Sequence, residues 1–204
     1  MKAFASLLDR LVLTPSRNGK LTLLTDYFRE TPDPDRGYAL AALTDGLDIK
    51  GVKPALLKEL VLERMDPILF QYSYDYVGDL AETISLVWEP QSAATETTDD
   101  GDSISAIVER LQLLGRNETR SVMRDLFDRL DTSERFALIK LVTGGLRIGV
   151  SARLAKQALA LFGNKDVVEI ESLWHGLKPP YTELFAWLEN RSEKPVLSTP
   201  AIFH

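Results

Sequence analysis

The sequence predicts an all-α protein. Apolar residues recur at helical spacing along most of the chain, no segment shows convincing strand alternation, and glycine, proline and capping residues punctuate the pattern. Phe4, Leu7, Leu8 and Leu11 mark a first helix, and Leu21, Leu24, Tyr27 and Phe28 a second. Pro32-Asp33-Pro34-Asp35 breaks the chain and offers a cap for a helix over 36–44. Pro54 suits the first turn of a helix reaching 64, because its missing N–H is not needed there. Asp66-Pro67 starts another short helix, and Gly78-Asp79 precedes one over 80–88. Tyr72, Tyr74 and Tyr76 alternate, which hints at a short strand; side chains filling gaps between helices and a surface corner are the favoured reading.

The stretch 90–102 is the clearest interruption. With Glu89 it carries Glu96, Asp99, Asp100 and Asp102, and it has no basic residue and no apolar run, so it reads as an acidic surface loop joining two helical halves, about 1–89 and 103–190. Past it, Ser103 caps a helix carrying Ile104, Ile107, Val108 and Leu111, and Asn117 caps one carrying Val122, Leu126 and Phe127. Asp131, with Glu134 three residues on, forms a capping box for a helix over 136–142. Ser151 opens a helix over 152–162, Asp166 a short one, and Pro179-Pro180 precedes a helix with Leu184, Trp187 and Leu188. Residues 191–204 read as an extended linker.

Composition narrows the function. The chain has 204 residues, 45% hydrophobic and 26% charged, as in an ordinary globular protein with a sizeable core. No apolar run reaches the roughly 18 residues that span a bilayer, and the N-terminus lacks a small-residue cleavage site, so neither membrane nor secretion is expected and a cytoplasmic, bacterial-type protein fits. There are no cysteines and only two histidines, His175 and His204, neither with a partner at ligand spacing, so no metal site is expected. No Ser-His-Asp set is supported and no Gly-x-x-x-x-Gly-Lys-Ser/Thr loop occurs. No catalytic residue is assigned.

The net charge of −6 argues against nucleic acid until its distribution is considered. Residues 110–156 hold ten of the 24 basic side chains but five of the 30 acidic ones. A basic block inside an acidic chain can form a binding face for a polyanion. Arg116, Arg120 and Arg124 fall at i, i+4 and i+8 and line one helix face, either as part of that surface or as a solvated, salt-bridged stripe.

The most informative run is Lys140-Leu-Val-Thr-Gly-Gly-Leu-Arg-Ile-Gly-Val-Ser151. Gly144 and Gly145 can take the positive φ that ends a helix, Arg147 stands at the tip, and Ser151 caps the next helix. A glycine-lined turn ahead of a helix N-terminus, with an arginine, suits phosphate. Thr14-Pro-Ser-Arg-Asn-Gly-Lys20 echoes it as a polar, glycine-bearing turn before an apolar helical run. Two such tips, one per half, would grip two stretches of a phosphate backbone.

These segments together resemble the N-terminal DNA-binding domain of ATP-dependent DNA ligases of the larger bacterial type. The matching runs are Leu13-Thr-Pro-Ser-Arg-Asn-Gly-Lys-Leu21, Asp35-Arg-Gly-Tyr-Ala-Leu-Ala-Ala-Leu-Thr44, Leu113-Leu-Gly115 and, most specific, Glu134 to Ser151. The resemblance implies an all-helical domain over 1–190 that holds nicked duplex DNA from the minor-groove side, as a monomer, in DNA repair, replication and recombination. Its contacts would come from Arg17, Asn18, Gly19 and Lys20 and from Gly144, Gly145, Arg147, Gly149 and Ser151; Thr14 and Ser16 in the first turn and Arg116 and Arg120 in the basic block complete the candidate DNA-binding set. A nucleotidyltransferase domain and an OB-fold domain would follow in cis. The Lys-x-Asp-Gly motif that takes up adenylate is absent, and the nearest run, Thr98-Asp-Asp-Gly101, has threonine in the lysine's place. ATP and Mg are therefore expected in the downstream domain, none in this chain, and the chain alone is expected to be inactive. The localisation implied is nucleoid-associated. The competing expectation is an all-helical protein-interaction scaffold that binds through the acidic first half.

Overall fold

The computed structural model describes residues 1–91, 103–144, 146 and 148–196. Among them are twelve helices and no strand: α1 Lys2–Leu13, α2 Arg17–Glu30, α3 Asp35–Leu43, α4 Pro54–Leu62, α5 Pro67–Val77, α6 Leu80–Val87, α7 Ile104–Leu113, α8 Arg116–Arg129, α9 Thr132–Thr143, α10 Ala152–Gly163, α11 Val167–Trp174 and α12 Thr182–Leu188. The acidic stretch 92–102, Gly145, Arg147 and the tail from 197 onward lie outside the described residues.

Most starts follow the capping chemistry expected of the sequence. The side chains of Asp66, Ser103, Asp131, Ser151 and Asp166 each accept a backbone N–H of the first turn. Three expectations change. The cap of α8 is Gly115, not Asn117; its N–H donates to the Glu118 carboxylate at 2.9 Å, so Asn117 lies inside the helix. Helix α3 has no side-chain cap, because its N-cap is Pro34, which has no acceptor, while Asp35 is already the first helical residue and Asp33 accepts from Arg36. The alternating tyrosines lie on helix α5, and Tyr72 and Tyr76 are 70% and 92% exposed instead of filling gaps.

The chain folds as two compact units, and they are not the halves on either side of the acidic loop. The first contains residues 1–9 and 48–146, the second 10–47 and 147–204, with α1 beginning in one and ending in the other. In the first unit α9 and α5 pack on α6, and α4 packs on α6 and α8. Leu57, Leu60, Ile84, Met123 and Phe127 form its fully buried centre, with Trp88 edge-on to Phe127 at 5.1 Å. In the second unit α10 is central and packs on α2, α3, α11 and α12. Its Ala155 and Ala158 are fully buried, small enough to bring α2 close. Gly37 is required by a close approach: a Cβ there would stand 1.5 Å from the Pro180 carbonyl oxygen.

The two units repeat one plan. Arg17-Asn18, Phe28 and Arg36 stand at the same relative positions as Arg116-Asn117, Phe127 and Arg135. The turns that follow also correspond, Thr44-Asp-Gly-Leu-Asp-Ile49 with Thr143-Gly-Gly-Leu-Arg-Ile148. Asp45 and Gly144 occupy the same place and share a positive φ, 56° and 72°. The counterpart of the Thr143–Ser151 turn is thus this turn after α3, not the Thr14–Lys20 turn. Both repeated turns carry the chain from one unit to the other, after Leu47 and after Leu146. Helix α4 therefore packs against α8 and α10 against α2, so each unit takes its helix pair from one copy and the next helix from the other.

A buried arginine closes each unit. Arg135 is 6% exposed; its Nε donates to the carbonyls of Phe127 and Leu130 at 3.0 and 3.1 Å, and its Nη1 to those of Ser85 and Trp88 at 2.9 and 3.4 Å. One cation thus satisfies the last carbonyls of α8 and α6, where the helix dipoles are negative. Arg36, 4% exposed, donates to the Phe28 carbonyl at 3.0 Å near the end of α2, to both Asp33 oxygens, and to Glu189 just past α12. Its guanidinium carbon lies 4.3 Å from the centre of the Phe185 ring. Arg64 completes the first unit, pairing with Asp128 (3.0 Å from Nη2 to Oδ2) and covering the Trp88 ring, whose Nε1 also donates to Asp128.

Removing the guanidinium in Arg135→Leu leaves four buried carbonyls without that donor and is expected to cost about 3 kcal/mol, read as a lower urea midpoint; a midpoint within error of the parent contradicts the role given to Arg135. Burial pushes the Asp128 carboxyl up, but the hydrogen bonds from Arg64 and Trp88 and the Arg64 charge outweigh it and hold it below the usual range. Asp79, through Glu82 N–H and Lys140, and Glu189, through Arg191 and Arg36, are lowered in the same way against burial. A carboxyl depressed in the folded state stabilises above its unfolded pKa, about 4, and that stability is lost as pH falls through the folded value. Glu134, raised by burial and by Asp131, acts in the opposite sense. The urea midpoint should fall between about pH 5 and pH 2, and Asp128→Asn should flatten part of that fall; an unchanged slope would remove Asp128 from the account.

Candidate nucleic-acid interface

The Thr14–Lys20 turn and the start of α10 meet inside the second unit. Ser16 caps α2, its Oγ accepting the Gly19 N–H at 3.0 Å, and Thr14 Oγ1 donates back to the Arg10 carbonyl at 2.7 Å. These bonds fix the turn and leave Arg17 and Asn18 exposed at the helix start. Across from it, Ser151 Oγ accepts the Leu154 N–H at 3.1 Å and caps α10. Lys20 joins the two: its Nζ donates to the Gly149 carbonyl at 3.1 Å. Gly149 has φ 73°, a conformation that calls for glycine, and a Cβ there would meet Lys20 Nζ at 2.6 Å, so a side chain would push the ammonium aside. Arg17 donates to Gln157 Oε1 on the second turn of α10.

Between these elements lies an open cleft of about 420 Å³ lined by Pro15, Arg17, Lys20, Gly149, Ser151, Arg153, Leu154 and Gln157. Three of the lining side chains are cations and none is a carboxylate. The partners of Arg17 and Lys20 are an amide and a peptide carbonyl. Such neutral acceptors position a cation without cancelling its charge. The N-termini of α2 and α10 border the same space and add their positive dipole ends and first-turn N–H groups. Cations and helix N-termini so arranged have the chemistry to receive an anion with several oxygens.

Other basic residues are differently committed. Arg120 donates to Glu63 at 3.2 Å and to Glu59, and Arg124 grips Glu63 with 2.9 and 3.2 Å contacts. The arginine face of α8 is therefore salt-bridged to α4. Arg116, its first residue, is exposed at the helix start. Gly144 ends α9 in the first unit at φ 72° with open space about its Cα. Gly145 and Arg147, assigned to the same turn, lie outside the described residues. Arg153 and Gln157 were not foreseen; the signal was there, since both follow the Ser151 cap within two helical turns.

The duplicated plan gives this corner a counterpart in the first unit. A Cβ on Gly51 would lie 3.3 Å from Thr119 Oγ1, as one on Gly149 would meet Lys20, and Thr119 holds the position of Lys20 in the other copy. Arg116 and Asn117 there repeat Arg17 and Asn18, and exposed Lys53 stands at the N-cap of α4 where Ser151 caps α10. The carboxylates that hold Arg120 and Arg124 lie further along α4.

Among the described residues no three histidine or acidic side chains form a metal-holding group, and no helix is long and apolar enough to cross a membrane. A family model described as DNA ligase N terminus matches residues 1–160, and the chain belongs to that family. No curated protein sequence matches it.

Gly149→Ala should cost about 1–2 kcal/mol from the left-handed backbone and should displace the Lys20 ammonium. A drop in the urea midpoint together with a shifted Lys20 side-chain amine resonance is expected; an unshifted resonance contradicts the contact.

Proposed function

We propose that this DNA ligase N-terminal domain holds duplex DNA by its phosphate backbone, without regard to sequence, with the cleft between α2 and α10 as the principal phosphate seat. The observation that carries the reading is that Arg17, Lys20 and Arg153 converge with two helix N-termini and no lining carboxylate. Backbone N–H groups and cations recognise phosphate and carry no base information. Joining strands at any site calls for that kind of grip.

In this reading Thr14, Ser16, Gly19, Gly149 and Ser151 shape the turns, Arg17, Lys20 and Arg153 meet phosphates, and Asn18 lies beside them. Arg116 with Lys53 makes a second, weaker contact at the equivalent corner. Gly144, Gly145 and Arg147 belong to the turn that resembles the family's backbone-contacting hairpin, and Arg147 would reach into the minor groove. Arg120 is left out, since Glu59 and Glu63 already hold it. The domain would act as a monomer, favour nicked duplex, and serve nucleotidyltransferase and OB-fold domains in cis in repair, replication or recombination in the nucleoid. Adenylate transfer, with its ATP and Mg, is assigned to those domains, because no Lys-x-Asp-Gly motif occurs here.

Binding should weaken with salt at a log–log slope of about −0.9 per neutralised phosphate. Lys20→Ala and Arg153→Ala should each reduce that slope by about one and weaken binding equally on unrelated sequences. Arg124→Ala, which removes a cation already paired with Glu63, should change it little. Fluorescence anisotropy on nicked and intact duplexes over a salt series measures all three. Slopes unchanged in the cleft variants, or sequence-dependent losses, would refute the phosphate seat.

A further inference from the structure

Helix α5 carries two apolar stripes where a packed surface helix needs one. Phe70, Tyr74 and Val77 face inward: Phe70 is buried and Tyr74 stacks on it at 6.3 Å. On the opposite side Ile68, Leu69, Tyr72 and Tyr76 fall within a little more than a quarter of the helix circumference at 3.6 residues per turn. They are 68%, 57%, 70% and 92% exposed. A contiguous exposed stripe of this size on a polar chain marks an interaction surface.

The fold does not demand it. Helix α11 opens on Asp166 as α5 opens on Asp66, each cap oxygen accepting the N–H two residues on at 2.9 Å. The positions of Ile68, Leu69 and Tyr72 are occupied in α11 by Val168, Glu169 and Ser172, and that of Tyr76 by Gly176 just past the helix end. The same helix start is thus built once with one exposed valine, Val168 at 64%, among polar and small residues, and once with a continuous apolar, tyrosine-bearing stripe.

Charge identifies the occupant. Residues 65–91 contain Asp66, Asp75, Asp79, Glu82 and Glu89 and no lysine, arginine or histidine. The cations that approach this segment are Arg64, held by Asp128, Lys58 over the Tyr74 ring, Lys140 on Asp79, and the buried Arg135 on the Ser85 and Trp88 carbonyls, away from the outer face of α5. Asp66, Asp75 and Glu82 are exposed. A nucleic acid is repelled by this segment, and a second copy would set the same carboxylates against each other. We propose that the outer face of α5 docks a basic amphipathic polypeptide segment of a partner protein, its apolar side chains on Ile68, Leu69, Tyr72 and Tyr76 and its lysines or arginines against Asp66, Asp75 and Glu82. The mode is helix against helix, with apolar anchors about one turn apart. The surface is separate from the α2–α10 cleft in both sign and residues.

The test is selection from a random library of helical peptides against the 204-residue chain, counter-selected with the triple variant Ile68→Ser, Tyr72→Ser, Tyr76→Ser. All three side chains are exposed, and an unchanged thermal melt verifies that the variant folds. The expected consensus has apolar residues one turn apart and a net positive charge. A synthetic peptide of that sequence should bind the parent at least tenfold more tightly than the triple variant, more weakly in high salt, and equally to Lys20→Ala. An acidic or neutral consensus, no enrichment, or equal binding to the triple variant overturns the proposal. So does concentration-dependent dimerisation of the parent that the triple variant abolishes, since the occupant is then a second copy. Loss of DNA binding in Lys20→Ala with peptide binding intact separates this surface from the phosphate seat.

Discussion

Two buried guanidinium groups hold the molecule's architecture. Arg135 and Arg36 stand at equivalent positions, and each binds the carbonyl that ends the helix before its own, Phe127 in one case and Phe28 in the other. Each also reaches the end of a helix from the other copy: Arg135 the carbonyls closing α6, Arg36 the Glu189 carboxylate beyond α12. A lysine carries its three N–H groups on one nitrogen, so it could not reach acceptors spread as widely as those met by the separate nitrogens of these guanidinium groups. Burial pushes the pKa of Arg36 down, but the carboxylates of Asp33 and Glu189 outweigh it and hold that pKa above the usual value, whereas for Arg135, which binds carbonyls, burial prevails and lowers it. The exchange of helices between copies is fastened at these two points.

The remaining cations divide by the charge of their partners. Arg64, Arg120, Arg124 and Lys140 sit on carboxylates and hold helices together. Arg17 and Lys20 sit on neutral oxygens, which orient them and leave their charge uncompensated. An acidic protein of net charge −6 can in this way keep a local positive field. Arrangement decides this more than number: in the basic stretch 110–156 the charges of Arg120 and Arg124 are consumed by Glu59 and Glu63, while Arg153 of the same stretch faces the cleft.

Local chemistry was readable from the sequence because it depends on near neighbours. Caps at Ser103, Asp131, Ser151 and Asp166 and the helical periods needed only a few adjacent residues. Asn117 misled because Gly115, a cap with no side chain, relies on Glu118 reaching back. The partition into units was hidden, because the acidic stretch marks an interruption along the chain whereas the units are defined by contacts across it. The cleft was half visible: both of its turns stood out, but their meeting through Lys20 and Gly149, and the arrival of Arg153, are tertiary facts. The repeat itself lay in plain sight in the spacing of Phe28 and Arg36 against Phe127 and Arg135, masked by low identity elsewhere.

Exchange between copies also sets an order on synthesis. The first unit has all its parts once residue 146 has emerged, since α9 is its last helix. Helices α2 and α3 are made early, yet the surfaces that cover them belong to α10 and α12. During translation they wait with Leu24, Phe28 and Leu40 uncovered, a period in which exposed apolar surface invites aggregation or chaperone capture. The cationic cleft, which needs both Arg17 and Gln157, cannot assemble until α10 has emerged.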